Sequence, residues 1–183
     1  MTVRHEGFGY FAAFILTVPM ANWMVHNFGT VCVPNGPCLI PVAPGLDSPS
    51  GVLMIGLALV LRDLVQRRLG KVWTIGAIFL GAITSAFVAP PALVLASTVA
   101  FLFSELADFA VYTPLQRKRL ITAVLASSFV GLMIDSILFL YLAFGSLDYL
   151  WGQVVGKGWM VLLSIPVIWW IREREQRQGV QPA

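Results

Sequence analysis

Charge is what this chain has least of. Only 11% of its 183 residues are Asp, Glu, Lys or Arg, against about 25% in a soluble domain. Histidine is nearly missing too, with two residues, and so is cysteine, also with two. The chain has no Gly-rich phosphate loop, no His-Glu-x-x-His and no paired Cys-x-x-Cys, so nucleotide hydrolysis, zinc catalysis and dithiol chemistry have no motif to rest on. Metal, cofactor and catalytic assignments are accordingly none, and the chain reads as a non-enzyme. The net charge of +3 does not indicate nucleic acid, because the basic residues form short clusters between apolar runs. There they are topology signals.

What fills the space is apolar: 58% of the chain, with a mean hydropathy of +0.82. A membrane-crossing helix needs ~20 apolar residues. Six segments fit, at about 8–25, 50–66, 73–89, 92–112, 120–143 and 150–171. The expected fold is all-α: one polytopic domain over residues 1–183 with six transmembrane helices. The first segment resembles a signal peptide in its short basic start at Arg4, but its apolar run continues through Trp23-Met24-Val25 without a clean small-residue cleavage site. Orientation follows the alternation of basic residues. Arg4 precedes the first span; Arg67, Arg68 and Lys71 fall between the second and third; Arg117, Lys118 and Arg119 fall between the fourth and fifth; Arg172, Arg174 and Arg177 follow the sixth. The other three connections have no Lys or Arg, which predicts that both termini are cytoplasmic.

Between 26 and 49 lies a segment with four prolines, Pro34, Pro37, Pro41 and Pro44, predicted to be an irregular external loop, in part re-entrant. It holds Cys32 and Cys38, which form a small disulfide loop if the segment faces an oxidising compartment and stay unpaired otherwise. In the third span Ala77, Gly81, Ser85 and Ala89 recur every four residues, a stripe suited to close helix packing. Trp73, Trp151, Trp169 and Trp170 lie near span ends as interfacial anchors. Trp159 lies further in and reads as a group that stacks on a ligand.

The informative residues are the polar ones inside apolar runs. An ionisable group at mid-bilayer costs roughly 2.5–3.5 kcal/mol, so it faces a partner or a polar cavity. Two layers emerge from their depths. Asn22, His26, Asp135 and Lys157 lie towards the outside; Arg62, Asp63, Gln66, Glu105, Asp108 and Tyr112 lie towards the cytoplasm. Glu105, Asp108 and Tyr112 share a helix face, as do Ser128, Gly131 and Asp135, and Gln153, Lys157 and Ser164. Asp135 and Lys157 suit a pair. Arg62 faces three acids, Asp63, Glu105 and Asp108, which in low dielectric do not all stay ionised. One is protonated, cation-bound or awaiting a donor-rich substrate. The alternatives are structural: Arg62, Asp63 and Lys157 can snorkel to the interface, and His26 can simply end its helix in water.

Three stretches carry a resemblance. They are Ser50-Gly51-Val52-Leu53 running to Leu61-Arg62-Asp63-Leu64-Val65-Gln66; Ser104-Glu105-Leu106-Ala107-Asp108-Phe109-Ala110-Val111-Tyr112-Thr113-Pro114; and Val130-Gly131-Leu132-Met133-Ile134-Asp135-Ser136 with Phe144-Gly145. They resemble the bacterial VUT family of vitamin-uptake or queuosine-precursor transporters, over about residues 50–145. The resemblance implies a six-helix importer in the bacterial inner membrane, taking 7-cyano-7-deazaguanine or 7-aminomethyl-7-deazaguanine, precursors of a modified tRNA nucleoside. It places Arg62, Asp63, Gln66, Glu105, Asp108, Tyr112 and Asp135 at the substrate, joined on physical grounds by Asn22, Lys157 and Trp159. A carboxylate accepts from the ring N–H and exocyclic amine of such a ligand, and Phe101, Phe139 or Trp159 can sandwich its plane. The expected partners are that small molecule and the lipid bilayer, with homo-oligomerisation left open. The alternative function is a substrate-binding membrane subunit of an ATP-driven vitamin transporter.

Overall fold

A computed structural model describes residues 3–34, 36–117 and 119–179; Lys118, one of the expected topology signals, lies outside them. Six helices dominate: α1 (Val3–Asn27), α2 (Val52–Leu69), α3 (Lys71–Val88), α4 (Val94–Leu115), α5 (Leu120–Phe144) and α6 (Leu150–Gln178). All but α2 are long and apolar enough to cross a membrane, which makes this a multi-pass membrane protein. Large apolar side chains such as Leu16, Phe87, Leu95, Phe103 and Leu163 are exposed on the outside of the bundle, as a lipid-facing surface requires.

Helix α2 is the most deeply buried of the six. Every residue from Arg62 to Arg68 is buried. Arg62 and Asp63 therefore do not snorkel; they have no exposed surface at all. The sequence places Arg67 and Arg68 in a connection, but they belong to the last turn of α2 and are buried. The reason is Gly70, whose φ of 84° is open to glycine alone at little cost. It turns the chain in one residue, so α3 starts at once with Lys71 and no loop remains to hold the arginines.

The Pro-rich segment forms a three-stranded antiparallel sheet, not the irregular loop its composition suggests: β1 (Val31–Cys32), β2 (Cys38–Ala43) and β3 (Leu46–Pro49), in the order β1-β2-β3. The prolines are compatible with it because Pro41 sits at an irregularity of the β2–β3 ladder, where a missing N–H is tolerated, and Pro44-Gly45 makes the hairpin turn with Gly45 at φ 73°. Cys32 and Cys38 face each other across β1 and β2 and are disulfide-bonded. The sheet is tied down on two sides. The Ser50 hydroxyl donates to Met24 O of α1 at 2.7 Å, and the Trp159 indole N–H donates to Val42 O at 2.9 Å.

Small residues set the helix spacing. The α3 stripe is buried at Ala77, Gly81, Ser85 and Ala89; a Cβ on Gly81 would lie 2.6 Å from the Phe101 ring. On α2, a Cβ at Gly56 would lie 2.6 Å from the backbone oxygen of Lys157 and 2.8 Å from its Cα, so α2 and α6 meet backbone to backbone there. Gly56→Ala is accordingly expected to cost about 1–3 kcal/mol by overpacking and to lower the melting temperature in detergent. Gly76→Ala, where a Cβ meets nothing within 4 Å, should leave it unchanged; equal behaviour of the two variants would contradict this packing.

Candidate functional site

A cavity at the sheet end of the bundle is enclosed by all six helices and the end of β3. Its polar wall carries Asn22, Ser97, Asp135, Gln153 and Lys157; Phe101 and Phe139 supply aromatic surface; Pro49 and Gly51 close it beside the sheet. It leaves about 60 Å³ for the centres of water-sized molecules, space for a few waters at roughly 10–15 Å³ each.

Lys157 is the best-satisfied charge in this wall. Its ammonium donates to Asp135 Oδ2 at 2.6 Å, Ser136 Oγ at 2.8 Å and Gln153 Oε1 at 2.5 Å. Three donors meet three acceptors, which is the full capacity of an ammonium. Gln153 lies one turn before Lys157 on α6, and Asp135 and Ser136 are neighbours on α5, so two helices build the whole arrangement. The expected Asp135–Lys157 pair is present, and it borders the cavity.

The inner layer converges as the charge balance suggested, but away from that cavity. Arg62 approaches Asp63 Oδ1 at 2.7 Å and Glu105 Oε2 at 3.4 Å, and pairs with Asp108 Oδ1. Its Nη1 donates to Gln66 Oε1 at 3.2 Å, and its guanidinium carbon lies 5.5 Å from the Tyr112 ring centre. The Ser127 hydroxyl donates to Asp63 Oδ2 at 3.1 Å, and Gln66 Nε2 donates to Thr113 Oγ1 at 2.9 Å. Gly131 of α5 admits Asp108 closely: a Cβ there would be 3.1 Å from Asp108 Cβ. Arg62, Asp63, Gln66, Glu105, Asp108 and Tyr112 are all buried, and none lines the cavity. These six residues, expected at the substrate, therefore lie outside the cavity. Arg62 draws the acids inward to itself, and Phe101, one turn before Glu105, forms the wall above them.

Two other expected residues lie outside the cavity. Trp159 is half exposed and held by the sheet through Val42, so it braces the sheet against α6 and does not stack in the pocket. His26 is exposed at the end of α1. Asn22, by contrast, reaches the cavity, with its amide nitrogen also donating to Val18 O at 3.0 Å.

A third polar group was not anticipated. Arg67 pairs with Glu175 of α6, donating through Nε to both carboxylate oxygens at 2.9 Å, and through Nη1 to Gln116 O at 3.1 Å. Arg68 reaches the same carboxylate at 2.6 Å and Glu6 of α1 at 3.3 Å, while Arg174 reaches Glu6 at 2.7 Å. This clasp ties α1, α2, α6 and the end of α4 at the opposite end from the sheet. Glu6 and Glu175 sit in polar terminal stretches where nothing in the sequence separates them from solvated charges.

A family model described as "putative vitamin uptake transporter" matches residues 51–171. The matched span holds both buried charge groups and the aromatic cavity walls; Asn22 precedes it. Comparison with curated proteins gives no match, and neither does comparison with solved structures.

The Asp135–Lys157 pair yields a stability prediction. Removing one partner of a buried pair leaves an uncompensated charge at a cost of about 3–5 kcal/mol. Lys157→Met should therefore strongly lower the melting temperature in detergent, and adding Asp135→Asn should restore a large part of the loss. Additive losses in the double variant would show that the two side chains do not interact energetically.

Proposed function

The chain belongs to the vitamin uptake transporter family, and we propose that it imports a planar nitrogen heterocycle across the bacterial inner membrane as a secondary transporter. The substrate class proposed is the queuosine precursors, 7-cyano-7-deazaguanine or 7-aminomethyl-7-deazaguanine, or a related base. The observation that supports this most is the cavity: two aromatic side chains, Phe101 and Phe139, beside a wall of Asn22, Asp135, Gln153 and Lys157. Flat apolar surface holds a ring by its faces, and a few convergent polar groups select its edge. A deazaguanine edge offers ring N–H and amine donors to Asp135, and its carbonyl accepts from the amide nitrogen of Gln153 or Asn22. Only one Asp135 oxygen is needed by Lys157, so the carboxylate can serve both.

Transport requires exposure to both sides in turn, and the proposed topology supplies the two ends. Six crossings with cytoplasmic termini put the sheet outside and the Arg67–Glu175 clasp inside. Helix α2, at 18 residues and ~1.5 Å per residue, is about 27 Å long, close to the ~30 Å hydrocarbon core. Its charges are tolerated because they are paired within the bundle and face no lipid.

The test is a thermal-shift screen of purified protein against deazaguanines, purines and vitamins. A ligand at 100 times its Kd stabilises by about 2.7 kcal/mol, so a heterocycle that binds should register. Phe139→Ala should weaken the response about two- to tenfold, the equivalent of roughly 0.5–1.5 kcal/mol of lost aromatic contact. The chain alone in liposomes should then take up the stabilising compound. Failure of every planar heterocycle to shift the protein removes the substrate class, and uptake that needs an added ATPase replaces the secondary transporter with an ATP-driven one.

A further inference from the structure

We propose that Glu105 is the proton-binding group through which import is driven by the transmembrane proton gradient. The coupling role rests on the importer reading above; the proton site does not.

The cluster around Arg62 sets one guanidinium against three carboxylates, all buried. With every acid ionised it carries a net charge of −2 in a region closed to water. The three acids are not equally served. Asp63 and Asp108 both contact Nη2 of Arg62, and Asp63 also accepts from Ser127. Glu105 stands off from Nε at 3.4 Å. Its Oε2 is buried with no hydrogen-bond partner, and so are both oxygens of Asp108 and the hydroxyl of Tyr112. Asp63 Oδ1 and Asp108 Oδ1 both face Arg62 Nη2 in close ion pairs, so Glu105, with its one cation 3.4 Å away, is the acid that gives up least by taking a proton.

The charged and titratable groups facing Glu105 come from each helix packed around it. Helix α2 presents Arg62 and Asp63, and α4 itself presents Asp108 and Tyr112. Helix α5 presents Asp135, which is paired with Lys157 of α6. The buried face of α3, Thr74, Ala77, Ile78, Gly81, Ala82 and Ser85, contributes no charge. Glu105 is thus the acid with one cation at a distance and carboxylates on two sides. A metal cation is a poorer occupant. The guanidinium already sits among the carboxylates, and no three acids among the described residues are arranged to hold a metal ion.

Location supplies the coupling. Phe101, one helical turn before Glu105, is a wall of the cavity, so Glu105 lies between the cavity and Arg62. When the Phe101 ring swings aside, a hydronium in the cavity gives up a proton and becomes water: its O–H bond breaks, an O–H bond forms on the Glu105 carboxylate, and the cluster goes from −2 to −1. Neutral Glu105 no longer attracts Arg62, which loosens α4 from α2 at this level. Loss of the proton to water on the cytoplasmic side restores the charge and the contact.

Infrared difference spectroscopy of the protein in lipid tests the site without any substrate. The wild type should show a protonated carboxylic-acid carbonyl band that shifts in D2O, disappears in Glu105→Gln and persists, displaced, in Glu105→Asp. Absence of the band in the wild type, or its survival unchanged in Glu105→Gln, overturns the proposal. In liposomes, an inward acid gradient should drive accumulation of 7-cyano-7-deazaguanine by the wild type. Glu105→Gln should lose that accumulation while keeping exchange and the thermal-shift response. Accumulation driven by sodium, or gradient-driven uptake intact in Glu105→Gln, overturns the coupling. No uptake by the wild type with the infrared band present would overturn the importer reading and leave the proton site standing.

Discussion

One guanidinium in the middle of the bundle constrains everything around it. Moving an ion out of water costs several kcal/mol even after relaxation, and Arg62 has no contact with solvent. Its partners come from two helices, Asp63 and Gln66 of α2 and Glu105 and Asp108 of α4, with Ser127 of α5 behind Asp63. These helices cannot slide or rotate freely without stranding a charge in low dielectric. Close approach is a precondition, and Gly131 provides it where α5 meets Asp108. The cluster fixes register more than it adds net stability, since a buried ion network is at best modestly favourable over a well-packed apolar one.

Three polar levels follow one another along the bundle, each built differently. Nearest the sheet, Lys157 is saturated by Asp135, Ser136 and Gln153 at the edge of an open cavity. In the middle, Arg62 is outnumbered by carboxylates and sealed. At the end opposite the sheet Arg67, Arg68 and Arg174 share Glu175 and Glu6 in a clasp across helix ends. Helix α2 passes beside the first level at Gly56 and carries the cations of the second and most of the third. A displacement of α2 would reach all three, so the helix that is least like a lipid-facing span is the one placed to link them.

The sheet end has its own restraint. The sheet is anchored to α1 through Ser50 and to α6 through Trp159, and stapled by the Cys32–Cys38 bond. Where α6 passes under it, Gly152 lies so close to the Asp47 carbonyl that no Cβ would fit. This braced sheet closes the cavity beside Pro49 and Gly51.

The sequence by itself determined the helical segments, the buried faces and the charge balance. A 3.6-residue period sorts side chains onto faces, and the cost of charge in lipid turns those faces inward; both are local or one-dimensional constraints. That is why Asp135 with Lys157, and Arg62 with its three acids, could be paired from depth and sign alone. Tertiary structure decided what those rules leave free. Helix rotation and spacing put Phe101 between the cavity and Glu105, so the Glu105 face meets Arg62 and not the pocket. Strand pairing gave order to a Pro-rich stretch whose local propensities describe only what it is not, and that sheet took Trp159 away from the pocket. A single left-handed glycine, Gly70, left Arg67 and Arg68 inside a helix, where partners more than a hundred residues away neutralise them. Period and hydropathy fix direction and depth along one helix, whereas the distance between two helices depends on every small residue packed between them.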